Sequence, residues 1–191
     1  MINLNESMLI GKGKHRSCYH HPLNPGHCIK VFHTWTKRTR VQCLRELKYI
    51  KRYKSKPIDL ALIPNYFGTI ATNYGVGYIF EKVTDWDGNE SESLSSYFAK
   101  NSNEKEVGLL ITNMYHILLD KKALVSDVHP GNILVQKKDS KFDVNLVLVD
   151  GIGNSDFIKI CDYSDYLMKK KLIRKFTRLK KTLGLAYDDI A

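Results

Sequence analysis

The sequence predicts an α+β fold in two unequal lobes. Three observations carry that reading. Short β-prone runs crowd roughly the first eighty residues, a polar, turn-rich stretch "TDWDGNESES" follows them, and most of the remainder places apolar residues at helical spacing.

The elements follow in order. Residues 8–19 read as strand, turn and strand around "IGKG", and "HCIKVF" at 27–32 reads as a further short strand. Residues 39–53, "TRVQCLRELKYIKRY", read as a basic helix. Residues 65–83 form a hairpin pattern, two β-prone runs around Asn73-Tyr74-Gly75 with Gly77 in the second. Past the polar boundary, 93–100 is a short helix. From 104 to 119, Val107, Leu110, Ile111, Met114 and Leu118 form one apolar face. "NILVQ" and "NLVLVD" are two short strands joined by the charged turn "KKDSKFD". A last helix over about 163–183 carries the stripe Met168, Leu172, Phe176, Leu179 and Leu183.

Composition narrows the class. A chain of 191 residues, 43% hydrophobic, is long enough for one core-bearing domain spanning 1–191. No apolar run approaches the roughly 18 residues of a membrane span. The start "MINLNESMLIGKGK" lacks the basic-then-apolar pattern of a secretory signal. Cys18, Cys28, Cys43 and Cys161 make no C-x-x-C pair and no zinc spacing, which fits reduced thiols and a cytoplasmic location. The net charge of +10 attracts anions, whether nucleotides, nucleic acids, lipid head groups or acidic proteins, and does not choose among them.

The chemistry lies in a series of small motifs. Gly11 and Gly13 occupy the first turn, where the lack of a Cβ lets backbone amides approach a phosphate. The third position of a G-x-G-x-x-G pattern is Arg16, open to a phosphate or to a carboxylate elsewhere in the fold. Lys30, flanked by Ile29 and Val31, points to the opposite face of its strand. Between 34 and 56 stand nine Lys or Arg and a single acid, Glu46, on the apolar side of its helix. A lone, partly buried carboxylate needs a cation. Lys30 is the favoured candidate, with Arg45, Arg52 and other nearby cations competing.

"SDVHPGNILV" places Asp127 and Asn132 five apart in a loop stiffened by Pro130 and loosened by Gly131. Asp127 is suited to accept a hydroxyl proton. Asn132 offers a carbonyl oxygen to Mg²⁺. Asp150 ends the apolar run "LVLV" eighteen residues later, beside Gly151, a natural place for a second metal ligand.

In this order, the motifs resemble the protein-kinase-like superfamily over nearly the whole chain. "DVHPGN" looks more like its small-molecule phosphotransferase branch. The strings "GKGKHRSCYHHP", "CIKVF", "RELKYI", "PNYFGT", "GVGYIFEKVTDWDG" and "DGIGNS" resemble the YrbL family of bacterial kinase-like proteins, associated with the PhoP regulatory network. The resemblance implies a bilobal kinase-like fold, with a five-stranded antiparallel N-lobe to about residue 82 and a reduced helical C-lobe over 83–191. It also implies an adenine pocket at Glu81-Lys82-Val83. Three departures argue against a conventional protein kinase: Val125 and Ser126 replace the His-Arg before the loop Asp, "DGIG" replaces Asp-Phe-Gly, and only about 40 residues follow Asp150.

The leading expectation is an ATP- and Mg²⁺-dependent phosphotransferase of unknown acceptor. Lys30, positioned by Glu46, would hold the phosphates under the Gly11/Gly13 turn. Glu81 and Val83 would flank adenine, Asn132 and Asp150 would hold metal, and Asp127 would act on the acceptor. A catalytically inactive nucleotide-binding regulator is the alternative. Eight Lys or Arg between 169 and 181 motivate a third, less favoured reading as a nucleic-acid-binding protein. On their spacing those cations line the solvated faces of the last helix.

Overall fold

Strand alternation organises the N-terminal half. In the computed structural model, which describes all residues except 57, 59, 140–142, 157 and 186–191, five antiparallel strands run β1 (Leu9–Lys12), β2 (Arg16–His20), β3 (His27–Phe32), β4 (Tyr66–Thr72) and β5 (Gly75–Glu81). Their order in the sheet is β1-β2-β3-β5-β4. Ile29 and Val31 face outward into a small cluster with Ile2, Leu4 and Tyr19. Cys28, Phe32 and Phe80 join the main core on the other side. Period-two geometry therefore turns Lys30 inward, toward the C-lobe. Gly77 keeps the β3–β5 contact close, because a Cβ there would lie 2.5 Å from the Ile29 methyl. The β4–β5 hairpin turns through Asn73 and Tyr74, and Gly75 takes the φ of +100° that it needs.

Helix α1 (Lys37–Lys54) crosses between β3 and β4. Thr36 and Thr39 form a reciprocal capping box at its start, and Lys51, Arg52 and Lys54 suit the negative end of its dipole. The face it buries is Cys43, Glu46, Tyr49, Ile50 and Tyr53. Two tyrosines tie it to the C-lobe. The Tyr53 hydroxyl accepts from Leu124 N at 2.8 Å and donates to Leu124 O at 3.3 Å. Tyr49 donates to Asp162 Oδ2 at 2.6 Å.

The C-lobe holds α2 (Leu94–Asn101), α3 (Glu104–Asp120) and α4 (Asp165–Thr182), with a small antiparallel sheet of β6 (Glu92–Ser93), β7 (Ile133–Lys137) and β8 (Val144–Leu148). Asn103 and Ser164 cap α3 and α4 through Glu106 N and Leu167 N. Val107, Ile111, Met114 and Leu118 of α3 share one core with Met168, Leu172, Phe176 and Leu179 of α4. Cutting a fully buried member such as Leu118 or Leu172 to Ala costs about 2–5 kcal/mol.

The structure refines the sequence expectations in three places. The polar boundary is laid along the C-lobe sheet, with Trp86 N on Lys137 O at 2.9 Å and Gln136 Nε2 on Thr84 O at 2.8 Å. It also contributes β6, too short to leave a periodic signal. Finally, α4 does not send all its cations to solvent: Lys171 and Lys180 are buried. Lys171 donates to Asn154 Oδ1 and Asp156 Oδ2, both at 2.6 Å. Long aliphatic stems allow such burial when the ammonium finds acceptors. The "KKDSKFD" turn lies partly outside the described residues. Among the described residues no helix is long and apolar enough to cross a membrane.

Candidate active site

A cleft of about 440 Å³ opens between the five-stranded sheet and the C-lobe, within the range of small-molecule sites. Gly11, Gly13, Lys30, Glu81, Val83, Asn132 and Asp150 all line it. Asp127 stands exposed beside it, held through Asn132, and Glu46 lies behind Arg16. Residues far apart in the chain thus meet at or beside one cleft.

Each wall has a local cause. The β1–β2 turn closes with Gly13 N on Arg16 O at 2.9 Å. Cys18 and Cys28 form part of the roof from adjacent strands. The neighbouring Cys18 thiol lowers the Cys28 thiol to about 7, and Lys30 and Lys82 add to this against burial. At the rear, Glu81 accepts Asn65 N and Nδ2 at 3.1 and 2.8 Å, and Lys82 N donates to Gly26 O at 2.8 Å.

The floor is two loops stitched together. Val125 bridges Ile152, and Ser126 N donates to Gly151 O at 2.7 Å. His129 Nδ1 accepts Gly131 N at 3.1 Å, capping a tight turn over Pro130–Asn132. Asn132 Nδ2 donates to Asp127 Oδ2 at 3.0 Å, which directs its amide nitrogen to Asp127 and leaves its carbonyl oxygen as the group a metal would use. Val149 N donates to Asn132 O at 2.9 Å, and Val149 O accepts Lys30 Nζ at 2.5 Å. One peptide segment therefore sets both the lysine and the loop.

The expected Lys30–Glu46 pair is replaced. Glu46 takes Arg16, with Nη1 to Oε2 at 3.0 Å and Nη2 to Oε1 at 3.3 Å. Arg16 also holds Asp150: Nε reaches Oδ2 at 3.1 Å and Nη2 pairs with Oδ1. A guanidinium can bind two carboxylates at once, which an ammonium does less well. Lys30 instead sits over the Phe80 ring at 4.8 Å, with Val149 O as its acceptor. Burial disfavours the Arg16 charge, but Glu46 and Asp150 outweigh it and its pKa rises. Burial would raise Asp150, yet Arg16 and Lys30 hold it below the usual carboxylate range.

Sequence reasoning missed Lys175. From α4 it donates to Ser126 O, just before Asp127. Burial and Lys171 lower its pKa, opposed by the Asp127 charge. The eight-cation run concealed it. For Arg16 the signal was present, an arginine where the glycine pattern calls for a third glycine.

The donor set suits Mg²⁺ with a nucleotide. Asn132 and Asp150 could offer hard oxygens to such an ion, and Lys30 and Arg16 line the same cleft with positive charge. Among the described residues no group of three or more His, Cys, Asp or Glu is placed to hold a metal ion.

The fold and its cleft define a bilobal, kinase-like protein. The kinase domain of Mycobacterium tuberculosis PknI superposes with a TM-score of 0.57 at 17% identity, over 96% of this chain and 75% of that one. The PF14_0431 kinase domain superposes with a TM-score of 0.54 at 17% identity, over 78% of this chain and 51% of that one, so the chain matches about half its length. At such identity the likeness is one of fold. The chain belongs to the PhoP regulatory network protein YrbL family, whose model matches residues 2–184. The YrbL proteins of Escherichia coli (strain K12) and Shigella flexneri are each 30% identical over 189 residues, covering 97% of this chain and 90% of theirs.

Proposed function

We propose that this chain binds ATP with Mg²⁺ in the cleft and transfers the terminal phosphoryl group to an acceptor hydroxyl. The observation that carries this is the convergence of Lys30, Asn132 and Asp150 on one cavity under a two-glycine turn. Glu81 and Val83 flank adenine through their backbone. Gly11 and Gly13 cover the phosphates, and Lys30 and Arg16 offset their charge. Asn132 and Asp150 would hold Mg²⁺, which would supply neutralisation of the phosphate charge.

Asp127 orients the acceptor and takes its proton. The acceptor oxygen bonds to the γ-phosphorus as the bond to the β-phosphate bridging oxygen breaks, giving a phosphorylated acceptor and ADP. The protein's contribution is mainly positioning and charge. Asp127→Asn lowers turnover by about 10²–10⁴-fold, the usual share of a general base, while nucleotide binding survives. Asp150→Ala abolishes Mg-ATP turnover. Full activity in either variant refutes the reading.

The grip of Arg16 on Asp150 favours a second reading, a nucleotide-binding regulator without transfer. ATP at a hundred times its Kd would then stabilise the fold by about 2.7 kcal/mol with no phosphate released.

A further inference from the structure

Arg16 holds its place in the cleft through both ends of its guanidinium. Both oxygens of Asp150 are engaged: Oδ2 by Arg16 Nε at 3.1 Å, and Oδ1 by Arg16 Nη2 and by Gly151 N at 2.7 Å. A divalent cation would have to take these same oxygens, and it would meet a positive charge already seated there. We propose that Arg16 is the resident counter-ion of Asp150, that it yields this carboxylate when a divalent cation binds, and that Glu46 keeps it in the cleft during the exchange. The inference rests on the reading of Asp150 as a metal ligand.

Three features support the exchange. First, Arg16 has a second anchor. Its bonds to Glu46, at 3.0 and 3.3 Å, do not depend on Asp150. The Glu46 side chain is only 9% exposed and rides on α1, itself fastened to the C-lobe. Arg16 leaving Asp150 therefore stays beside the cleft that it already lines. Second, the charges balance in the resting form. Arg16 and Lys30 face Glu46 and Asp150, two cations against two carboxylates. A dication adds positive charge to this quartet and so competes with Arg16, and one arriving with polyphosphate also brings negative charge that the freed guanidinium can meet. Third, Lys30 does not take part in the exchange, because Val149 O holds its ammonium. Glu46 thus positions an arginine, and Arg16 couples metal occupancy to phosphate binding.

The test measures Mn²⁺ affinity of the nucleotide-free protein from the electron paramagnetic resonance signal of unbound Mn²⁺. Arg16→Gln removes the competitor, and its affinity should rise at least tenfold. Arg16→Lys keeps the charge and a partner for Glu46 but cannot span both carboxylates. It should rise at least threefold, and it remains informative if Arg16→Gln does not fold. Asp150→Ala should lose the site. Native affinity in Arg16→Lys would show that only net charge matters and would overturn the exchange, as would absence of Mn²⁺ binding in every variant. Loss in Asp150→Ala with native behaviour in Arg16→Lys removes this inference alone. Native affinity in Asp150→Ala removes the metal site as well.

Discussion

Gly151→Ala tests whether the two loops of the cleft floor depend on one missing methyl group. Gly151 has a φ of +75°, and an added Cβ would lie 2.6 Å from Asp127 O, 2.8 Å from Asp127 Cβ and 2.9 Å from Asp127 N. The left-handed backbone alone costs an L-residue about 1–2 kcal/mol. Overpacking against a backbone that cannot rotate aside adds about 1–3 kcal/mol. The sum, about 2–5 kcal/mol, corresponds to a fall in Tm of roughly 4–20 °C for a chain of this size. If the loop yields, the Ser126 N to Gly151 O bond of 2.7 Å opens and Asp127 moves relative to Asp150. Stability is lost in one case and nucleotide binding in the other. The assay is urea unfolding followed by circular dichroism, paired with ATP binding. Gly108→Ala is the control, since a Cβ there meets nothing within 4 Å on α3 and should stabilise the helix by about 1 kcal/mol. A Gly151→Ala protein within about 0.5 kcal/mol of native, binding ATP normally, would refute the packing argument.

Two further outcomes are expected. Iodoacetamide at pH 7.5 should label Cys28, whose thiol is lowered to about 7, faster than Cys43, whose thiol burial pushes up. ATP should slow the labelling of Cys28, and an ATP-insensitive rate would place the nucleotide elsewhere. Asp156 is held below the ordinary carboxylate range by its bond from Lys171. A folded pKa below the unfolded one stabilises the protein above the unfolded value, and the gain fades as pH falls through the folded value. Asp156→Asn should therefore lower the urea midpoint at pH 7 and lower it less at pH 3, below the unfolded value. An equal loss at both pH values would contradict the ion pair.

Much of the fold was legible because local signals agreed with the tertiary result. The alternation around Lys30 set its facing, and the spacing of Cys43, Glu46 and Ile50 gave the buried side of α1. Partner choice was harder to read. Glu46 needed a cation, and sequence neighbours favoured Lys30, but the β1–β2 turn delivers Arg16, which reaches both Glu46, 30 residues along the chain, and Asp150, 134 residues along. Nothing local encodes that meeting. The basic run of α4 misled for another reason. Charge pattern alone sends lysines outward, yet Asn154 and Asp156 provide acceptors that let Lys171 turn in.

The tyrosine anchors of α1 have a mechanical consequence. Burial pushes Tyr53 up to about 12, so its hydroxyl keeps its proton at physiological pH and serves Leu124 as both donor and acceptor. With Tyr49 on Asp162, the helix carrying Glu46 is a beam pinned to the lower lobe at two points. Swinging that beam outward as an off-switch would break both anchors and strand a buried peptide group. The place of Glu46, and of the Arg16 that it holds, is therefore set from the lower lobe as well as from the sheet.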